Sequence, residues 1–202
     1  MRVERLQREF AIEVIWWPFE LHPEIPSAGI DRREAPSPQR VAMYEHLRSL
    51  AVEAGLPFQR PPRVVNSHRA LEAAEFAREQ GKFDAYHRAL FDAYWAQGRD
   101  IGDAAVLVEL AVAAGLDGGA LRDALESRRY ATLVGERTEE ARAWGVTGTP
   151  TFIFESGDRR FPLVGAQDDA VFENVARRLG SGEEPRSWNR EHRTQDPPGS
   201  RF

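Results

Sequence analysis

The sequence predicts an α/β fold in which a block of helices is inserted between an early strand and a terminal β-hairpin. Three observations predict it. Phe10 to Trp17 reads FAIEVIWW, dense in the β-branched and aromatic residues that suit a pleated surface. Ser67 to Gly145 shows helical spacing throughout, without a convincing strand. Thr151–Phe154 and Phe161–Val164 are short apolar runs on either side of a Gly157-Asp158 turn, the pattern of a hairpin.

Taken in order, Val3 to Glu9 has the spacing of the last turns of a helix that leads into the FAIEVIWW strand. In that strand Ile12, Val14 and Trp16 face one side and Ile15 and Trp17 the other, which predicts a sheet covered on both faces. Pro18 to Pro38 carries five of the thirteen prolines and predicts extended, turning chain. Helical spacing resumes at Gln39 with Val41, Tyr44, Leu47, Leu50 and Ala51 near one stripe, and Gly55 suits the position after its end. Leu56 to Asn66, with Pro57, Pro61 and Pro62, is irregular. Helices are then expected from Ser67 (a candidate N-cap) to Gly81, from Phe83 to Gln97, and from Asp103 to Gly115. Asp117 is a good N-cap for the next, with Leu116 and Leu121 placed as a hydrophobic staple, and a further helix runs from Arg129 to Trp144. After the hairpin a closing helix spans Asp168 to Leu179. From Ser181 onward the chain has no Val, Ile, Leu or Met and reads as a disordered tail.

Composition narrows the chemistry. The 202 residues contain no cysteine, so the chain itself offers no disulfide, thiolate nucleophile, iron–sulfur cluster or cysteine-bound zinc. A net charge of −5 and a pI of 5.6 give no basic surface for nucleic acid or an anionic membrane. The longest mostly apolar stretch, Ala104 to Leu116, is broken by Glu109 and is too short to span a bilayer. The charged start MRVERLQREF is no signal peptide, and the expected compartment is the cytoplasm.

The most specific string is Gly145-Val-Thr-Gly-Thr-Pro-Thr-Phe, at the junction of helices and hairpin. Proline is tolerated there because the first residue of a strand need not donate to the ladder. Gly145 and Gly148 offer positive-φ freedom, and Thr149-Pro150 is a candidate cis peptide. Other features are blander. No two of His22, His46, His68 and His87 have helical metal-ligand spacing, so no metal site is expected. The adjacent pairs Glu139-Glu140 and Glu183-Glu184 point in different directions and form no acid–base dyad. Trp16, Trp17, Phe83, Tyr86, Phe91, Tyr94 and Trp95 read mostly as core. Ser67 and Ser156 have no recognisable His–Asp partner.

Four strings, Trp17-Pro-Phe-Glu-Leu-His-Pro-Glu-Ile-Pro, the Asn66 to Ala77 segment beginning Asn-Ser-His-Arg, Gly145 to Phe152, and Val164-Gly-Ala-Gln, resemble the DsbA-like thioredoxin superfamily, in particular its FrnE-type branch. The resemblance covers Val3 to Gly180. It implies a thioredoxin-like fold with an inserted all-helical domain: residues 1–66 and 145–180 form the thioredoxin-like domain, 67–144 the insertion and 181–202 the tail. It also implies a thiol–disulfide oxidoreductase family function that needs no bound cofactor. Thr149 and Pro150 correspond to the family's cis-proline loop, which pairs with extended peptide or protein substrate, and Trp17, Asn66 and His68 are placed near the cleft.

The family's first strand, its C-x-x-C motif and most of its first helix have no counterpart in this sequence, since Met1 to Glu9 matches only the final turns of that helix. No catalytic residue is therefore assigned, and redox exchange is not expected of the chain as written. The absent strand would lie between Phe10–Trp17 and Thr151–Phe154, which predicts an oligomeric or aggregation-prone chain with an intact helical block. Two alternatives stay open: a non-catalytic peptide-binding module, and a glutathione-dependent isomerase or kappa-type transferase relative that would bind glutathione.

Overall fold

The computed structural model describes residues 2–31 and 37–181. The tail expected from Ser181 lies, beyond that residue, outside the described residues. The chain divides into two compact units, Met1–Trp17 with Glu140–Phe202, and Pro18–Glu139.

In the first unit, helix α1 (Arg2–Glu9) precedes an extended segment, and the hairpin of β3 (Thr151–Ser156) and β4 (Arg159–Val164) leads to α8 (Asp169–Ser181). The strands are antiparallel, with Thr151 opposite Val164, Ile153 opposite Pro162 and Ser156 opposite Arg159. The inward residues Phe152 and Phe154 meet Phe172 of α8, Phe152 edge-on at 4.7 Å between ring centres. Leu6 of α1 joins Leu163 and Phe172 in one small core, and Phe161, Val175 and Leu179 form another. Arg5 ties the two helices together through Asp169 at 3.0 Å and Glu173 at 2.5 Å.

The predicted strand Phe10–Trp17 is corrected: residues 11–17 form no ladder. The alternation is present, with Ile12 and Val14 half-buried between exposed Ala11, Glu13 and Ile15. Strand pairing needs a hydrogen-bonding neighbour, and among the described residues none lies alongside. Ile15 is left 68% exposed and Trp16 39%, so the segment is not covered on both faces.

The second unit holds α2 (Pro38–Glu53), α3 (His68–Glu79), α4 (Phe83–Phe91), α5 (Ala104–Ala113), α6 (Gly118–Glu126) and the start of α7 (Ala131–Ala143). Its largest core gathers Phe76, Tyr86, Leu107, Leu121 and Tyr130 with a set of alanines. Asp117 caps α6 as its sequence predicts, accepting from Gly119 N at 2.8 Å and Ala120 N at 3.0 Å. The Phe83–Gln97 helix is corrected in its second half, where Asp92–Ala96 widens into a π-helical turn. That turn brings Trp95 onto Phe58 in a stack 5.4 Å between centres. The proline-rich stretches also hold a two-residue ladder, β1 (Ile30–Asp31) with β2 (Arg63–Val64).

Candidate functional site

Two places carry the residues singled out above, one in each unit. In the first unit Thr149 and Pro150 are exposed and joined by a cis peptide bond. The loop is pinned from both sides. Thr151 Oγ1 donates to the Gly148 carbonyl at 2.7 Å, and Gly165 N donates to the Pro150 carbonyl at 2.8 Å. Gly145 has φ +83° and ends α7, whereas Gly148 is not in the left-handed region, so only the first of the two expected glycines uses that freedom.

The Gly165-to-Pro150 bond fixes the ladder's phase. Residues at Phe152 and Phe154 exchange hydrogen bonds with β4, and the alternate residues Thr151, Ile153 and Glu155 turn their backbone groups to the other edge of β3. No strand pairs with that edge among the described residues. The outer edge of β4 is protected differently, because Pro162 has no N–H to present there. Beside the hairpin, Trp17 meets Trp144 with ring centres 5.2 Å apart, and the Arg160 guanidinium lies 4.7 Å from the Trp144 ring centre. Arg160 is held by Glu155 at 2.6 Å.

In the second unit Asn66 and His68 come together as a structural knot. Asn66 Oδ1 accepts from His68 N at 2.9 Å, and Asn66 Nδ2 donates to the Ile25 carbonyl at 2.6 Å. Asn66 therefore performs the capping expected of Ser67, whose side chain makes no cap bond. A side-chain amide can satisfy a helix N–H and a loop carbonyl together, and a hydroxyl at the next position does not reach.

The His68 ring lies between two carboxylates: Nδ1 is 3.0 Å from Glu20 Oε2, and Nε2 is 3.4 Å from Glu72 Oε1. Glu72 is fully buried, and Arg128 Nε approaches it to 3.3 Å from a residue with φ +56°. Burial pushes the Glu72 carboxyl above its ordinary range, against the pull of Arg128, His68 and Arg69, while Glu20 adds to the rise. Glu20 is itself anchored, its N–H donating to Thr138 Oγ1 at 3.1 Å. The arrangement gathers two carboxylates, an imidazole and a guanidinium in one cluster of ion pairs. It can lock the Glu20 loop, α3 and the Arg128 turn together, and it contains no thiol.

Among the described residues no group of three His, Asp or Glu side chains is placed to hold a metal ion, and no helix is long and apolar enough to cross a membrane. Glu20, Glu72, Arg128, Trp144 and Arg160 are not marked as site residues by any motif of the sequence. His68 and Glu72 stand four apart on a helix, a spacing that would have signalled the pair had carboxylates been weighed beside histidines. Glu20 lies 48 residues from His68, with no sequence signal joining them.

Comparisons with known proteins converge. The family model described as DSBA-like thioredoxin domain matches residues 1–177. YwbO of Bacillus subtilis, itself uncharacterised, is 34% identical over 168 residues, covering 81% of this chain and 80% of its own. A probable DsbA oxidoreductase of Streptomyces coelicolor superposes with a TM-score of 0.79 at 26% identity, covering 93% of this chain and 86% of that one. A 2-hydroxychromene-2-carboxylate isomerase shares the fold, with a TM-score of 0.66 at 19% identity over 89% of this chain and 86% of its own.

Proposed function

We propose, since the chain belongs to the DSBA-like thioredoxin family, that it serves the polypeptide-recognition side of that family's thiol–disulfide chemistry, in the manner of the FrnE-type branch. It holds an extended peptide or protein segment at Thr149 and Pro150 and exchanges no disulfide itself. The observation that carries this reading is an exposed Thr149-Pro150 loop, fixed by Gly148 and Gly165, at the head of a strand with an open edge. An extended ligand adds to such backbone by main-chain hydrogen bonds, so it is recognised by conformation more than by side chain. The absence of a sulfur nucleophile in all 202 residues supports the second half of the reading, because exchange proceeds by thiolate attack.

The test is fluorescence anisotropy with a labelled, unstructured peptide. Pro150→Ala releases the φ that the pyrrolidine ring fixes. It should weaken binding about threefold to tenfold, the worth of one net hydrogen bond of about 0.5–1.5 kcal/mol. A peptide with alternate backbone nitrogens methylated should fail to bind, and insulin should be reduced by dithiothreitol at the blank rate. Equal affinity for the methylated peptide, or insulin reduction above the blank, would overturn the proposal.

A further inference from the structure

Helix α2 is the one described helix of the second unit that is long and yet buries nothing. None of its sixteen residues is buried. Tyr44 holds it to the rest through Phe58, with ring centres 6.5 Å apart, and the half-buried residues Tyr44, Leu47 and Ala51 mark its inner stripe. A second stripe runs beside that one and faces solvent: Val41 (39% exposed), Glu45, Arg48 and Val52 (71% exposed). A shallow groove lined by Glu45, Arg48, Ser49, Val52 and Glu53 follows the same face.

The spacing of Val41, Glu45, Arg48 and Val52 is four, three, four, which is the a/d spacing of a helix that pairs with another helix. The order of residue types along it, apolar, acidic, basic, apolar, becomes its own charge complement when reversed. An antiparallel partner with the same sequence, turned about a two-fold axis between His46 and Leu47, therefore complements it. Val41 meets Val52, Glu45 meets Arg48, and each contact occurs twice. A self-complementary patch of this kind is what a closed, isologous pair requires.

We propose that α2 is a docking surface for a second copy of this chain, forming an antiparallel helix pair through Val41, Glu45, Arg48 and Val52. The occupant follows from charge. A partner helix with any other charge order would leave Glu45 or Arg48 facing a like or neutral group, whereas the same helix reversed satisfies both. Sixteen residues rise about 24 Å, a short seam. The pair is thus weak and reversible, at the small end of specific interfaces. The central Glu45–Arg48 layers fix its register and antiparallel sense, as polar residues do at seam positions.

Sedimentation velocity of the full chain over a range of concentrations tests this, with two single charge variants. Glu45→Arg gives a seam with only basic charges and Arg48→Glu one with only acidic charges. The wild type should dimerise reversibly, and more weakly as salt is raised. Each variant alone should raise the dissociation constant at least about tenfold, a loss of about 1.4 kcal/mol. An equimolar mixture of the two variants should recover the dimer, because every cross-pair is then a Glu facing an Arg. Far-UV circular dichroism confirms that both variants keep their helix. A wild type still monomeric near about 1 mM, a dimer indifferent to either variant, or a mixture that stays monomeric would each overturn the proposal.

Discussion

Among the described residues, the helical unit gathers sixteen buried residues in one apolar cluster around Leu107 and Leu121, while the clusters of the hairpin unit hold three each. The helices α3 to α6 satisfy their own backbone hydrogen bonds, so packing alone decides their stability, and small residues such as Ala73, Ala77, Ala93 and Ala111 let them approach closely. The hairpin has no such independence. A two-stranded sheet is marginal by itself, and β3 and β4 rest their aromatic face on Phe172, Val175 and Leu179 of α8 and Leu6 of α1. The same chain thus contains one region held by many interchangeable contacts and another held by a few that are not.

The sharpest test of that contrast is Phe172→Ala. It removes both aromatic contacts to Phe152 and Phe154 and should cost about 3–5 kcal/mol. Because the hairpin unit has little else, amide exchange should show β3 and β4 losing protection while α3 to α6 keep theirs. Equal loss in both regions would break the comparison. The corresponding change in the helical core, Leu107→Ala, should cost about 2–5 kcal/mol in urea unfolding. It should lower the helical transition without an intermediate, since the surrounding side chains share the cavity.

A smaller effect sharpens the picture of the ion-pair knot. The Glu72 carboxyl is raised in the folded chain, so the folded state binds its proton more tightly than the unfolded state does. Stability from this group is therefore greatest at acidic pH and falls as pH rises through the window above the ordinary carboxylate value. In Glu72→Gln that fall is absent. Urea midpoints of variant and wild type should be closest near the acid end and should separate, with the variant gaining, toward neutrality. A constant gap would mean that Arg128, His68 and Arg69 balance burial, and a gap that runs the other way that they outweigh it. Smallest of all, Asp117→Ala removes the α6 cap and should cost about 1 kcal/mol in the same assay.

These regions also differed in how far they could be read from sequence. The Asp117 cap and the hairpin turn are local, and each is legible because its cause lies within a few residues. Phe10–Trp17 was not. Its β-forming composition is genuine, but a strand is a relation between two segments, and composition reports on one. The candidate site behaves alike. Thr149 and Pro150 stood out because glycine and proline punctuate the chain, and they are exposed at the head of β3. The Glu20–His68–Glu72 group escaped notice because a loop residue and a helix residue meet only through tertiary packing. Ser67 stands at the N-cap position of α3 that its sequence predicts, but the hydrogen bond to the helix start comes from the longer side chain of Asn66.

The π-helical turn at Asp92–Ala96 bears on how this chain tolerates insertion and deletion. Gln97 N donates to Asp92 O across five residues, one more than an α-turn holds. Removing a single residue there would heal the segment to a regular helix, a change that most helices cannot accept without losing register. Healing would shift the residues of the turn about the helix axis, carrying Trp95 away from Phe58 and Tyr94 from the Arg63 carbonyl. A chain one residue shorter at this turn would keep the helix and give up the aromatic stack that anchors the Phe58 loop.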